Sequence, residues 1–290
     1  MSPMFSALVD FIARHERLFV LTGAGVSTAS GIPDYRDETG EWKHQKPMEF
    51  REFVTSHRSR QRYWARSFIG WQRFRRAQPN PAHRALARFE QQQRLVRTVT
   101  QNVDGLHQRA GSQKVTELHG SLAAVECLGC TAVMPRATLQ QQLLAGNPEL
   151  AYWSAQAAPD GDAVLSGYDE TEVRVPDCKA CGGILKPAVV FFGETVPAAR
   201  VASCYDDLRQ ADAMLVVGSS LMVYSGFRFA RAAAQAGLPI AAINRGKTRA
   251  DDFIELKLEI DCATALAKSA FDMRSPLTRT AVRNKLSWCI

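Results

Sequence analysis

The sequence predicts an α/β protein with a doubly wound parallel sheet and a smaller second domain. Several apolar runs rich in Val, Ile and Phe are continuous rather than alternating, which is typical of strands buried on both faces of a parallel sheet. Segments with helical character separate these runs. Two segments, 38–79 and 122–186, interrupt the alternation, and we interpret them as insertions that together form the smaller domain.

Each predicted strand is a short apolar run that ends at glycine or a polar residue. The five runs are Leu18–Thr22, Leu95–Thr100, Ala188–Phe192, Ala213–Val217 and Pro239–Ile243. The predicted helices are Pro81–Gln93, Ala198–Gln210 and Ser225–Ala236. This alternation predicts a Rossmann-like nucleotide-binding domain made of residues 1–37, 80–121 and 187–273, followed by a C-terminal tail, 274–290.

Composition and charge exclude several classes of protein. With 46% hydrophobic and 22% charged residues, the chain is an ordinary globular one rather than a disordered one. No run of about 18 apolar residues is present, so we expect no membrane span. The N-terminus lacks the basic start of a secretion signal, and Asp10 interrupts its apolar stretch, which predicts a cytoplasmic protein.

The net charge of +7 is concentrated in one place. Residues 51–76, within the first insertion, contain eight arginines and one acid, so this arginine segment alone accounts for the whole excess. A protein that is basic along its full length is therefore excluded, whereas one local basic patch is not.

Four of the seven cysteines form two Cys-x-x-Cys pairs, Cys127 with Cys130 and Cys178 with Cys181. Four thiolates from two such turns make a closed tetrahedral zinc site of the structural type, with no position left for a substrate. The 47 residues between the pairs exceed the usual spacing of about 15–20, so the ribbon must carry an inserted loop.

Small or polar residues follow several predicted strands. The segment Thr22–Thr28, with sequence TGAGVST, comes directly after the first strand and could bring backbone N–H groups against a phosphate, although a tight structural turn would explain it equally well. The segments Gln101–Asp104, Gly218–Ser220 and Asn244–Gly246 follow other strands. Because ligands bind at the carboxyl ends of parallel strands, these segments together favour a nucleotide site.

His119 follows the short run VTEL. A lone histidine is more often a hydrogen-bonded structural residue than a catalytic one. Its expected position near the same crevice makes it a candidate general base, because imidazole titrates near neutral pH.

In combination these motifs resemble those of the sirtuins, the NAD-dependent protein-lysine deacylases. GAGVSTASGIPDYR, QNVDGLH, the His-Gly pair at 119–120, the two Cys-x-x-Cys pairs, KPAVVFFGE, GSSL and INRG occur in the sirtuin order. The similarity extends from about Leu18 to Ala270 and is greatest to the class II branch, which includes bacterial proteins.

The resemblance implies a role for each matching residue. His119 would be the catalytic base, with Asn102 as a second catalytic residue, and Val190, Phe191, Phe192 and Gly193 would hold the substrate backbone and border the acyl-lysine tunnel. The cysteines Cys127, Cys130, Cys178 and Cys181 would bind one structural zinc. The NAD contacts would be Gly23, Ala24, Gly25, Ser27, Asp34, Tyr35, Arg36, Gln101, Asn102, Val103, Asp104, Gly218, Ser219, Ser220, Asn244, Arg245, Gly246 and Cys262.

The implied reaction transfers the acyl group of a protein lysine to ADP-ribose, with release of nicotinamide and O-acyl-ADP-ribose. Sirtuins that remove acidic acyl groups carry Tyr-x-x-Arg in the helical insertion, and Tyr63 and Arg66 fit that spacing. The surrounding residues are of class II type, so acetyl, longer or lipoyl-type groups are the expected substrates.

Other functions stay open at this stage. Mono-ADP-ribosyl transfer would use the same NAD site. A zinc-ribbon nucleic-acid binder would use the arginine segment for backbone contacts, although a solvated helical face is the commoner role of such a segment. A hydride-transferring dehydrogenase is disfavoured, because the glycine motif lacks its third glycine and no acid follows at the expected distance. We expect acyl-lysine proteins as partners, no membrane or direct nucleic-acid binding, and a monomer.

Overall fold

The computed structural model describes residues 3–43, 46–154, 156–157, 159–165 and 167–272. The predicted tail, 274–290, lies outside the described residues. The strands are β1 Leu18–Thr22, β2 Leu95–Thr100, β3 Val115–Glu117, β4 Gly120–Cys127, β5 Val133–Pro135, β6 Gln156–Ala157, β7 Ala163–Val164, β8 Leu185–Val189, β9 Ala213–Val217, β10 Ile240–Ile243 and β11 Leu256–Leu258. The helices are α1 Pro3–Arg14, α2 Phe50–Thr55, α3 His57–Phe74, α4 Pro81–Gln91, α5 Leu106–Arg109, α6 Arg136–Gly146, α7 Ala198–Arg209, α8 Tyr224–Gln235 and α9 Cys262–Asp272.

A six-stranded parallel sheet forms the larger part of the fold, in the order β11-β10-β9-β1-β2-β3. β1 is buried along its whole length, and its side chains alternate between two cores. Leu18 and Val20 pack with α1, α4 and α9 on one face, whereas Phe19 and Leu21 pack with α7 and α8 on the other. The predicted doubly wound, Rossmann-like arrangement is therefore confirmed.

The two insertions share a separate hydrophobic core. Phe53 and Trp64 of the helical insertion pack in one cluster with Val125, Leu139 and Leu185 of the ribbon insertion. The ribbon contributes a three-stranded antiparallel sheet in the order β5-β4-β8. The limits proposed above for the two domains stay a prediction.

The predicted strand Ala188–Phe192 is wrong in both extent and position. The strand spans Leu185–Val189 and pairs antiparallel with β4, so it does not belong to the parallel sheet. The apolar character of this run has another cause. Phe191 packs in the core that the two insertions share, and Val189 packs both on that core and on a second apolar cluster, which contains Ile32. A continuous apolar run reports burial on both faces without specifying which sheet buries it.

The inserted loop of the ribbon lies against α3. A Cβ atom on Gly70 would come 2.3 Å from the carbonyl oxygen of Gly161, so the two backbones meet where only glycine fits. Among the helices of the described residues, none combines the length and apolarity needed to cross a membrane.

Candidate functional site

The loops after β1 and β9 meet at the point where the strand order reverses. From β1 the chain continues to β2 and β3 on one side of the sheet, and later to β9, β10 and β11 on the other. Gly25 N–H donates to the carbonyl of Gly218 at 2.8 Å, and a Cβ atom on Gly25 would lie 2.9 Å from the Gly218 Cα. Open α/β sheets bind ligands at such a reversal.

A cavity of about 610 Å³ opens at this point, within the usual size of small-molecule sites, about 300–1,000 Å³. Seven predicted cofactor residues line it: Gly25, Asp34, Arg36, Gly218, Asn244, Arg245 and Cys262. Seven more predicted residues belong to the same loops but are not among its lining residues: Gly23, Ala24, Ser27, Tyr35, Ser219, Ser220 and Gly246. The glycine contacts and the mixture of cationic and acidic groups in this cavity fit a dinucleotide such as NAD.

The predicted cofactor loop is a small hairpin pinned by Trp42. Arg36 bridges to Trp42 in antiparallel fashion, and its guanidinium lies 4.0 Å from the centre of the indole ring. The Tyr35 ring meets the same indole edge-on at 6.1 Å, and Lys43 Nζ lies 2.6 Å from an Asp34 carboxylate oxygen. The hairpin therefore presents Asp34 and Arg36 to the cavity.

Side chains after β2 link the loops that follow the other strands. The Gln101 amide donates to the Ser219 hydroxyl at 2.7 Å, and the Asn102 amide donates to the Gly23 carbonyl at 3.1 Å. Val103 packs on an apolar cluster that contains Ile32 of the cofactor loop. The three strand ends thus form one connected site.

Asp104 is held by a hydroxyl and a backbone amide. The Ser27 hydroxyl donates to one carboxylate oxygen at 2.7 Å, and Leu106 N–H donates to the other at 2.9 Å. Burial raises the pKa of Asp104, although both hydrogen bonds oppose that shift.

His119 lies between the cofactor residues and the start of α8. Its Nδ1 is 2.9 Å from the Gln101 carbonyl oxygen, and its Nε2 is 2.8 Å from the Ser225 hydroxyl. Because a carbonyl can only accept, we assign the proton to Nδ1, which leaves Nε2 as the basic atom. Burial lowers the pKa of His119 to about 4, so the ring is neutral at physiological pH.

The predicted substrate stretch begins beside the same histidine. Val190 N–H donates to the His119 carbonyl at 2.8 Å. The Phe191 ring lies 5.0 Å from the Phe53 ring and 5.3 Å from the Tyr63 ring, while Phe192 meets Trp42 edge-on at 5.7 Å. Gly193, with φ of +78°, ends this aromatic wall in an exposed turn.

The four predicted zinc ligands converge. Their Sγ atoms all lie within 4.8 Å of one another, and the Cys127–Cys181 and Cys130–Cys178 separations are 3.5 and 3.7 Å. Tetrahedral zinc with Zn–S bonds of about 2.3 Å requires about 3.8 Å between sulfurs, so the donor set fits a structural zinc.

Arg66 is engaged by an acid of the inserted loop. Its Nε lies 3.1 Å from a Glu170 carboxylate oxygen, and Arg62 contacts the same carboxylate at 3.7 Å. The Glu170 side chain is 12% exposed, so this pairing is largely shielded from water. The arginine of the Tyr-x-x-Arg spacing is thus already neutralised.

Several residues of the site were not predicted from the sequence. Trp42 and Ser225 carry no motif of their own, and only the fold brings them to Arg36 and His119. Ile32 and Lys43 line the cavity, as does Asp261, which directly precedes α9. The ion pair between Asp34 and Lys43 could have been predicted from the sequence, because the short loop between them brings the chain back on itself.

The position of the cavity at the strand reversal defines a nucleotide-binding α/β protein, and the ribbon adds a metal-binding insertion. The chain belongs to the Sir2 family, whose model matches residues 23–225.

Proteins named for an NAD-dependent activity are similar to this chain over most of its length. An NAD-dependent protein deacetylase 2 of Bradyrhizobium diazoefficiens is 59% identical over 261 residues, which cover 90% of this chain and 96% of the relative. The mitochondrial NAD-dependent protein lipoamidase sirtuin-4 of Bos taurus is 49% identical over 265 residues, covering 89% and 83%. A solved Sir2 structure with a p53 peptide and NAD+ superposes with a TM-score of 0.77 at 27% identity, covering 93% and 98%.

Proposed function

We propose that this chain is an NAD-dependent protein-lysine deacylase in which His119 is the general base. The observation that carries the proposal is the position of His119 between the predicted cofactor residues and the predicted substrate stretch. Its ring contacts the carbonyl of Gln101, a predicted cofactor residue. Its own carbonyl accepts a hydrogen bond from Val190, the first residue of the predicted substrate stretch. Membership of the Sir2 family and similarity to NAD-dependent deacetylases support it.

NAD, when bound, supplies an anomeric ribose carbon that becomes electrophilic as nicotinamide leaves. The chain would hold NAD through the loops after β1, β9 and β10 and the Trp42 hairpin. Phe191 and Phe192 would exclude water from the reacting centre, which protects a reactive electrophile from hydrolysis. His119 Nε2 would accept a proton from a ribose hydroxyl, because its Nδ1–H is already committed to a carbonyl.

The acyl group would be uncharged. An acidic acyl terminus would need a free cation, and the candidate Arg66 is paired with Glu170. Acetyl, longer or lipoyl-type groups meet the apolar wall instead, and the similarity to a lipoamidase supports the bulkier ones. A monomeric, cytoplasmic enzyme without nucleic-acid affinity is part of the proposal.

To test this proposal, the protein is incubated with NAD and peptides that carry acetyl-, octanoyl- or lipoyl-lysine. The nicotinamide released and the mass of each peptide are then measured. We expect nicotinamide release only with acylated peptides, and loss of turnover in His119→Ala. Acyl-independent transfer of ADP-ribose to protein would instead support the mono-ADP-ribosyltransferase, and full activity of His119→Ala would remove the assignment of the base.

A further inference from the structure

A basic aromatic surface lies next to the residue that contacts the catalytic base candidate. We call it the Tyr224 patch and define it by Tyr224, Arg228, Arg231 and Arg249. Tyr224 is the first residue of α8, directly precedes Ser225 and is 44% exposed. The patch is separate from the arginine segment of the helical insertion, 51–76.

The three arginines of the patch are arranged around one ring. Their Cζ atoms lie 5.0, 5.4 and 5.9 Å from the centre of the Tyr224 ring for Arg228, Arg231 and Arg249. Arg231 also donates to the Tyr224 hydroxyl at 2.7 Å, and Arg249 lies 4.3 Å from the centre of the Phe227 ring. These contacts fix the positions of the guanidinium groups without neutralising their charge.

No acid of the described residues forms an ion pair with any of the three arginines. The nearby carboxylate of Asp251 is taken by Lys257 at 3.1 Å and by the Thr248 hydroxyl at 2.6 Å. By contrast, Arg62 and Arg66 of the arginine segment share Glu170. The Tyr224 patch is therefore a cationic surface whose charge is not offset by an acid of the described residues.

None of the four residues of the patch lines the cofactor cavity. The patch instead adjoins the start of α8, where the Ser225 hydroxyl contacts His119. In the proposed deacylase, a lysine side chain that reaches His119 would approach between Val190 and the start of α8, since His119 contacts both. Residues that flank such a lysine would then extend over Tyr224, which directly precedes Ser225.

We propose that the Tyr224 patch binds Asp or Glu side chains that flank the acyl-lysine of the protein substrate. This inference rests on the proposed deacylase function and adds the class of substrate sequence. Arginine presents a planar fork that matches a carboxylate, and a charged rim on a binding site favours encounter with partners of opposite charge.

The test uses acetyl-lysine peptides in which Glu at positions on either side of the lysine is replaced in turn by Gln. In the wild-type chain we expect kcat/KM for the acidic peptide to exceed that for its Gln partner roughly threefold to tenfold, through KM rather than kcat, as for one or two exposed ion pairs. The preference should shrink in about 0.5 M salt, where screening is strong.

Substitutions of the arginines test whether the preference for acidic peptides depends on the Tyr224 patch. Arg231→Gln with Arg249→Gln should abolish it and leave kcat on the neutral peptide unchanged. Arg231→Glu with Arg249→Glu should favour a peptide with Lys in the same positions. The matched control, Arg51→Gln with Arg58→Gln, makes the same charge change in the arginine segment and should keep the preference.

The outcomes separate the two claims. Turnover of the neutral peptide with equal kcat/KM for its acidic partner overturns the patch while leaving the deacylase intact. Loss of the preference in the Arg51 and Arg58 control, but not in the patch variant, overturns it as well. Absence of turnover on every acyl peptide contradicts the proposed function itself.

Discussion

In the proposed mechanism, the neighbours of His119 prepare this single side chain for proton transfer. The Gln101 carbonyl fixes the tautomer, and the Ser225 hydroxyl lies at the free nitrogen at 2.8 Å. Because burial lowers the pKa of His119 to about 4, the neutral, proton-accepting form dominates throughout the physiological range. The position of this base, rather than a pKa near 7, is what the fold supplies.

This arrangement makes a kinetic prediction. On the acid side, kcat/KM should begin to decrease only below about pH 5, rather than near the ordinary histidine pKa of about 6.5.

Ser225→Ala should lower kcat roughly threefold to tenfold with little change in KM, because it removes the hydroxyl that orients the His119 ring. Rates measured from about pH 4.5 to 8.5 check both expectations, and an acid limb centred near 6.5 would argue against them.

At the scale of elements, α3 and the inserted loop act together. Gly70 lets the loop backbone approach, and Glu170 in the loop engages Arg62 and Arg66 on the helix. Burial raises the pKa of nearby Asp162 to about 6. The acid of the loop therefore offsets part of the positive charge that α3 carries on this surface.

Removing the charge of Glu170 should change acyl preference. In Glu170→Gln, Arg66 loses its carboxylate partner and becomes available to a carboxylate on the acyl chain. We expect the ratio of kcat/KM for glutaryl-lysine over acetyl-lysine to rise about fivefold to tenfold. The double variant Glu170→Gln, Arg66→Gln is the matched control and should return the ratio to that of the wild type. An unchanged ratio in the single variant would show that Arg66 does not face the acyl group.

The ribbon and the parallel sheet should respond differently to loss of metal. The four thiols join the end of β4 to the segment before β8, and β8 leads into the substrate stretch. Chelation, or Cys178→Ser, should therefore raise the peptide KM and lower Tm while NAD binding persists, since the cofactor loops follow strands of the other sheet. NAD titration calorimetry beside peptide kinetics checks this. Equal loss of both affinities would contradict it.

Besides His119, two buried histidines couple the stability of the whole molecule to pH. His83 and His107 are 0% and 1% exposed, and their ring centres lie 4.8 Å apart. His107 Nε2 contacts the Thr22 hydroxyl at 2.9 Å, next to the cofactor loop. Burial lowers the pKa of His83 to about 4 and that of His107 well below its ordinary value.

The sign of the effect follows from proton binding. The unfolded chain protonates these histidines near pH 6.5 and the folded chain does not, so their contribution is present above about 6.5 and is lost as the pH falls towards 4. The free energy of unfolding should decrease by roughly 1 kcal/mol per pH unit for each histidine in this window. Urea unfolding between about pH 7 and 4.5 measures the slope. His83→Gln should make the slope shallower, and a slope unaffected by this variant would exclude His83 as its source.

The sequence by itself determined the features that depend on local patterns. Continuous apolar runs such as Leu18–Thr22 require burial on both faces, and they gave the parallel sheet correctly. The spacing Cys-x-x-Cys fixes two thiols in one turn, so the four cysteines that converge could be named before any contact was known. The rule that ligands meet the carboxyl ends of strands predicted a nucleotide site at the segments after β2, β9 and β10, whereas the roles of single residues came from the family resemblance.

Only the tertiary structure decided which distant residues meet. An apolar pattern cannot tell one buried sheet from another, so the strand that ends at Val189 was assigned to the wrong sheet. The pairing of Arg66 with Glu170 joins residues 104 positions apart, and that of His119 with Ser225 joins residues 106 apart. The charge and chemical type of a side chain are properties of the single residue. Whether an arginine is ion-paired, and which nitrogen of a histidine carries the proton, depend on neighbours that the folded chain brings together.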